Sequence, residues 1–149
     1  MKEKKVTLEP LDADNWLTVC ELTISDEQKQ HFPISNLYWI GISRYEEHTE
    51  LFAIKQGETY VGLVGCGLDE DGVSGYINPL MVDARFQRQG IGGQALRLIM
   101  HTLIGQHHVP CIHINHRKEN HAAGRLYEKL GFKVYSQTET ELNRGYTVE

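Results

Sequence analysis

Between residues 80 and 96 the chain reads "LMVDARFQRQGIGGQAL", an apolar run that ends in a turn with glycine at 90, 92 and 93, directly before a helix-forming stretch. Few backbones satisfy that string. A strand must stop, the chain must pass through a conformation that suits glycine, and a helix must start with its first N–H groups unpartnered. Those donors and the helix dipole together favour an anion, and phosphate is the natural guest. Gly90-Ile91-Gly92-Gly93-Gln94-Ala95 formally fits the dinucleotide fingerprint G-x-G-x-x-G/A. The acidic residue that should follow about twenty positions later to hold a ribose is missing, because that region reads "CIHINH". No Gly-Lys-Ser/Thr closes the turn, which excludes a P-loop.

The flanking grammar is mixed. "KKVTLEPL" alternates like a half-buried strand, and Asp14 or Asn15 can cap a helix carrying Trp16, Leu17, Val19, Cys20 and Leu22. Ser25 with Gln28 forms a capping-box pattern for a short helix "DEQKQHF" that Pro33 ends. "NLYWIGISRYEE" is ambiguous: Leu37, Ile40 and Tyr45 suit a helix, and Gly41 and Ser43 weaken it. Then "ELFAIKQ", "TYVGLVGCGL" and "GYINPLMV", separated by Gln56-Gly57 and "DEDG", read as an antiparallel meander. Gly62, Gly65 and Gly67 either weaken the middle strand or mark a close approach of backbones. Pro79 cannot donate to a ladder and predicts a bulge or splay in mid-strand.

After the glycine turn, Leu96, Ile99, Met100 and Leu103 share one helix face, "VPCIHIN" is a strand, and "NHAAGRLYEKL" is a helix stopped by Gly131. "FKVYSQTETEL" and "GYTV", joined at Asn143-Arg144-Gly145, predict a closing hairpin. The expectation is one α+β domain over residues 1–149.

Composition narrows the function. A net charge of -5 disfavours the broad basic surface that nucleic acid needs. "MKEKKVTLEP" is followed by no apolar signal core, so a cytoplasmic protein without a membrane partner is expected. Three cysteines without C-x-x-C spacing suit reduced thiols. His107, His108, His113, His116 and His121 crowd together, but His113 and His116 point to opposite faces of a strand, and no metal site is expected.

The stretch "LMVDARFQRQGIGGQAL" resembles the acetyl-CoA-binding motif of the GNAT superfamily of N-acetyltransferases, with Gln87, Gly90 and Gly92 at the positions of its Q/R-x-x-G-x-G/A signature. "NHAAGRLYEKLGF" resembles the family's second motif through Asn120, Ala123, Leu126, Tyr127, Gly131 and Phe132. The resemblance implies a GNAT fold: a mixed, mostly antiparallel sheet with helices on both faces and a splayed central strand pair. It implies acetyl-CoA as cosubstrate, its pyrophosphate cradled by the backbone of Arg88, Gln89, Gly90, Ile91, Gly92 and Gly93, with side-chain donors from Gln87 and Arg88. The pantetheine arm would pair with Leu80, Met81 and Val82 where the Pro79 bulge opens the sheet, and Asn120 would touch the arm. Gly90 and Gly92 are expected to supply the turn, leaving Arg88 with ordinary backbone and a charge for phosphate.

Acetyl transfer to an amine needs a neutral amine, a held oxyanion and a proton for the leaving thiolate. The motif match gives the last task to Tyr127, which would also contact CoA. "SDEQKQHF" and "LYEKLGF" look most like the bacterial spermine/spermidine (diamine) acetyltransferases. That likeness implies a small cationic amine as acceptor, with Glu27 and Asn78 as its contacts. Asn78-Pro79 stands where those relatives often carry an acidic residue followed by arginine. Other amines, or CoA sensing without turnover, are the alternatives. The apolar closing hairpin is compatible with a homodimer.

Overall fold

In the computed structural model, residues 4–30, 35–46 and 49–149 are described. The elements are β1 (Val6–Pro10), α1 (Trp16–Cys20), α2 (Asn36–Tyr45), β2 (Thr49–Gln56), β3 (Thr59–Leu68), β4 (Gly75–Val82), α3 (Ile91–His107), β5 (Cys111–Arg117), α4 (His121–Lys129), β6 (Lys133–Gln137) and β7 (Glu141–Thr147). The strands form one sheet in the order β1-β2-β3-β4-β5-β7-β6. Every neighbouring pair is antiparallel except β4·β5. The expected α+β architecture is borne out.

Helices cover both faces of the sheet. On one side Ile91, Ala95, Leu96, Ile99, Met100 and Leu103 of α3 pack with Val61, Val64, Ile112 and, from α4, Tyr127. On the other, Val19 and Leu22 pack with Leu51, Ala53, Leu63 and Met81, flanked by Trp39 and Ile40 of α2. Such double cover is why β3 is buried from Val61 to Gly67 without alternation. Each fully buried Leu or Ile contributes about 1.5–3 kcal/mol. No described helix is long and apolar enough to cross a membrane.

The Pro79 expectation holds and has a partner across the ladder. Val64 pairs with Leu80 and Cys66 with Ile77, so Gly65 alone faces both Asn78 and Pro79. A Cβ on Gly65 would meet Asn78 O at 2.7 Å and Leu51 Cδ2 at 2.7 Å, so the bulge fits only against glycine. Gly62 likewise abuts the carbonyl of Met81. Beyond the bulge the central pair opens. Only Gly75↔Ile112 and Tyr76↔His113 pair β4 with β5, and the strands then diverge.

Three local readings change. "NLYWIGISRYEE" resolves as the ten-residue α2, its N-terminus capped by Ser35 accepting from Tyr38 N. The capping box forms, with Ser25 Oγ accepting from Gln28 N at 3.2 Å and Gln28 Oε1 from Ser25 N at 3.3 Å. It opens only a 3-10 turn, Gln28–Gln30, and Pro33 lies outside the described residues. The closing hairpin turns at residues 138–140, where Thr138 Oγ1 accepts from Thr140 N and Glu141 N, and not at Asn143-Arg144-Gly145. Those three residues lie inside β7, between β5 and β6. Turn-like composition misled there, because Gly145 leaves room for the Tyr135 ring, 3.4 Å from where its Cβ would be.

Candidate active site

The divergence of β4 and β5 opens a cleft of about 680 Å³, within the size range of small-molecule sites. The free edge of β4 at Leu80, Met81 and Val82 lines it, as do Gln87, Arg88, Gly90, Ile91 and Gly92 at the entry to α3, and Asn120 and Tyr127 of the second motif. Gln89 and Gly93 stand outside the lining. Two stretches separated by about thirty residues therefore meet across one opening.

At the head of the cleft, Gly90 caps α3 in the left-handed conformation with φ 77°, and α3 has no acidic residue in its first turn. A Cβ on Gly92 would meet nothing closer than Leu126 Cδ2 at 3.8 Å. Packing inside the protein does not require glycine there, so its missing side chain leaves backbone donors open to a ligand. This is the shape that suits a pyrophosphate.

Arg88 departs from expectation. Its φ is 64°, so the second positive-φ position of the turn is Arg88 and not Gly92, which is helical. The arginine accepts backbone strain and still presents an exposed charge beside the cradle. Gln87 differs as well. Its Nε2 donates to Val82 O and to Gln28 Oε1, both at 2.8 Å, while Gln28 Nε2 donates to Gln87 Oε1 at 2.7 Å. The side chain is used as a clamp joining the end of β4 to the 3-10 turn, not as a free donor for phosphate. Asp83, 2% exposed, makes a second clamp by accepting from Thr23 N and Arg85 N.

Asn120 caps α4 through Oδ1, which accepts from Ala123 N at 3.3 Å. Its Nδ2 makes no hydrogen bond to the described residues, and Asn120 lines the cleft. Tyr127, 7% exposed, packs its ring against His116 and Phe132, with centroids 5.8 and 6.2 Å away. Burial pushes its phenol up to about 12, so it is a proton-bearing donor throughout the neutral range.

His116 was not anticipated as part of the site. Its Nδ1–H donates to Arg117 O at 2.8 Å, and its Nε2 accepts from Arg144 Nε at 3.0 Å. Burial, and the Arg144 charge besides, hold the imidazole below its usual value. With both nitrogens engaged, the ring is a neutral wall of the cleft. Gly124 of α4 makes the room, since a Cβ there would stand 3.1 Å from His116 Cε1. The other side is formed by Ile24, Trp39 and Met81, and the indole Nε1 of Trp39 is buried without a partner among the described residues. Asn78 lines the cleft; Glu27 is exposed and outside it. Glu141, at the start of β7, is the only carboxylate among the described lining residues.

Away from the cleft, Asp26 pairs with Lys29, Glu50 lies 3.3 Å from His107, and Asp71 closes the β3–β4 turn.

The chain belongs to the acetyltransferase (GNAT) family, whose model matches residues 13–132; it is an acetyltransferase. Among solved structures it is similar to RimL, a ribosomal alpha-N-protein acetyltransferase, at 15% identity and a TM-score of 0.79, covering 96% of this chain and 90% of that one. It is similar to PseH, an N-acetyltransferase of Campylobacter jejuni solved with acetyl coenzyme A, at 15% identity and a TM-score of 0.71, covering 97% and 100%. A spermidine N-acetyltransferase SpeG chimera from Vibrio cholerae and hSSAT matches at 14% identity and a TM-score of 0.76, covering 95% and 94%. No curated protein matches the chain.

Proposed function

We propose that residues 1–149, as one cytoplasmic domain, transfer acetyl from acetyl-CoA directly to a primary amine, with a small polyamine such as spermine or spermidine as the acceptor. The carrying observation is the continuity of one cleft: an unpaired β4 edge leads from an open glycine cradle to the Tyr127 phenol. The pantetheine amides would add to that edge as a short strand. A backbone N–H near Leu80 or Met81 would hold the oxyanion, and Tyr127 would hold a proton at the leaving sulfur. With the phenol at about 12 and a thiol near 8.5, full transfer is uphill by roughly 5 kcal/mol. Tyr127 therefore acts first as a hydrogen-bond donor to developing negative charge. A cationic acceptor is supported by the net charge of -5 and by Glu141 at the cleft.

A second reading has its own support. Ile24, Trp39 and Met81 form an apolar wall, and Glu27 stands away from it. Those features favour an amine with one charge on an apolar or peptide body. Thiol release from acetyl-CoA with spermine, spermidine, putrescine, lysine and a short peptide in parallel separates the two readings. Tyr127→Phe should lower kcat by about 100-fold with little change in the KM for acetyl-CoA. Absence of thiol release with every amine would sink the enzymatic reading and leave CoA sensing.

A further inference from the structure

Among the described residues, three buried side-chain nitrogens have no hydrogen-bond partner: Trp39 Nε1, His113 Nδ1 and Arg117 Nε. A neutral imidazole can leave one nitrogen as a bare lone pair, but an indole and a guanidinium are donors only. Trp39 and Arg117 both line the cleft. Its walls therefore hold two obligate donors for which the described residues supply no oxygen, and a buried donor left unpaired is costly.

The two share one side of the sheet. Along β5, Ile112 and Ile114 join the core beneath α3, and His116 meets the Tyr127 ring. Strand alternation sends Asn115 and Arg117 to the opposite face, where Trp39 packs against the cluster that holds Met81. Arg117 stands opposite Glu141 of β7 in the antiparallel register, so their side chains leave the sheet on that same face, with Cβ atoms about 5 Å apart. No ion pair joins the two, and Arg117 pairs with no other carboxylate among the described residues.

We propose that Arg117 is a specificity-determining residue for the amine substrate, and that this substrate is an α-amino acid with an apolar side chain. The inference rests on the acetyl-transfer reading and takes the second of its two substrate classes further. A carboxylate supplies the oxygens that Arg117 lacks, two at once against one planar fork. The amine on the adjoining carbon then stands beside Glu141, the only carboxylate among the described lining residues. Neighbouring charges of opposite sign on the substrate thus match neighbouring charges of opposite sign on β5 and β7. Ile24, Trp39 and Met81 form the wall that takes the apolar side chain.

A polyamine meets this corner on worse terms. Its protonated nitrogens are donors only, so Arg117 and Trp39 would keep their missing partners. Its charges would also repel the guanidinium, and Glu141 cannot offset both.

The test is thiol release from acetyl-CoA with leucine against isoamylamine and phenylalanine against phenethylamine, pairs that differ only in the carboxylate, with spermidine beside them. In each pair the amino acid should have the higher kcat/KM, by at least about tenfold. Arg117→Gln should cut that ratio at least about tenfold, through the KM of the amino acid, and Arg117→Lys, which keeps the charge and loses the fork, should cut it less. A purely structural role would lower both members of a pair together and leave the ratio alone. Equal rates within each pair, spermidine as the best substrate, or a ratio that survives Arg117→Gln in a folded variant overturns the inference while acetyl transfer stands. Failure of acetyl transfer itself reads differently: no amine releases thiol, and leucine binding to the CoA-loaded chain, measured by calorimetry, then decides the site. Binding that Arg117→Gln weakens upholds it, and absent or undiminished binding overturns it.

Discussion

Arg88 carries a conflict between backbone and charge that a single substitution can split. At φ 64° a residue with a Cβ costs up to about 1 kcal/mol relative to glycine. Arg88→Gly should therefore raise the urea midpoint while raising the KM for acetyl-CoA severalfold. The KM penalty should shrink with added salt, since the lost contribution is a screened charge. A variant that is neither more stable nor weaker for acetyl-CoA would refute this account of the turn. Single residues were read unevenly from sequence. Tyr127 and Asn120 stood in a motif and could be named, whereas the engagement of Gln87 with Gln28 spans 59 positions and leaves no trace in local spacing. His116 was hidden for the same reason: the arginine that holds it neutral comes 28 residues later.

At the scale of elements, the opening between β4 and β5 rests on the pairing of a bulge with a glycine on the next strand. Gly65→Ala would drive a methyl into Asn78 O, Leu51 and Pro79. The expected cost is about 1–3 kcal/mol from overpacking, or a bulge that relaxes and narrows the cleft. A thermal melt with acetyl-CoA titration tells these apart, and native values in both would show that the bulge does not need glycine. The sequence revealed the bulge through Pro79 because a missing N–H is a local fact. It misplaced the last turn because Asn143-Arg144-Gly145 has turn composition while serving a strand paired on both edges. The long helix α3 was readable throughout, since its stripe of buried residues repeats at helical spacing.

For the molecule as a whole, His116 ties stability to pH on the acid side. The folded chain holds its imidazole below the unfolded value of 6.5, by burial first and Arg144 second. Its contribution is complete above that unfolded value and is lost as pH falls below it toward the folded value. Urea midpoints should decline between about pH 7 and pH 5, and His116→Gln should flatten that decline. An unchanged acid limb in the variant would place the sensitivity elsewhere. The opposite limb is shared by Cys66 and Tyr127, both pushed up to about 12 by burial. The Cys66 share is lost above its unfolded value near 9 and the Tyr127 share above its unfolded value near 10, so Tyr127→Phe should remove only the later part of the loss.

The sheet order also dictates when the protein can become itself. β7 is the last strand of the sheet in chain order, yet it lies between β5 and β6. During synthesis β6 emerges with no partner to join, and β5 stands as a bare edge until the strand beyond it arrives. Arg144, which reaches His116 from β7, comes with that same strand. The nascent chain thus passes through a stage in which the glycine cradle has been made, the wall behind Tyr127 has not, and an unpaired strand is open to any neighbour that offers one.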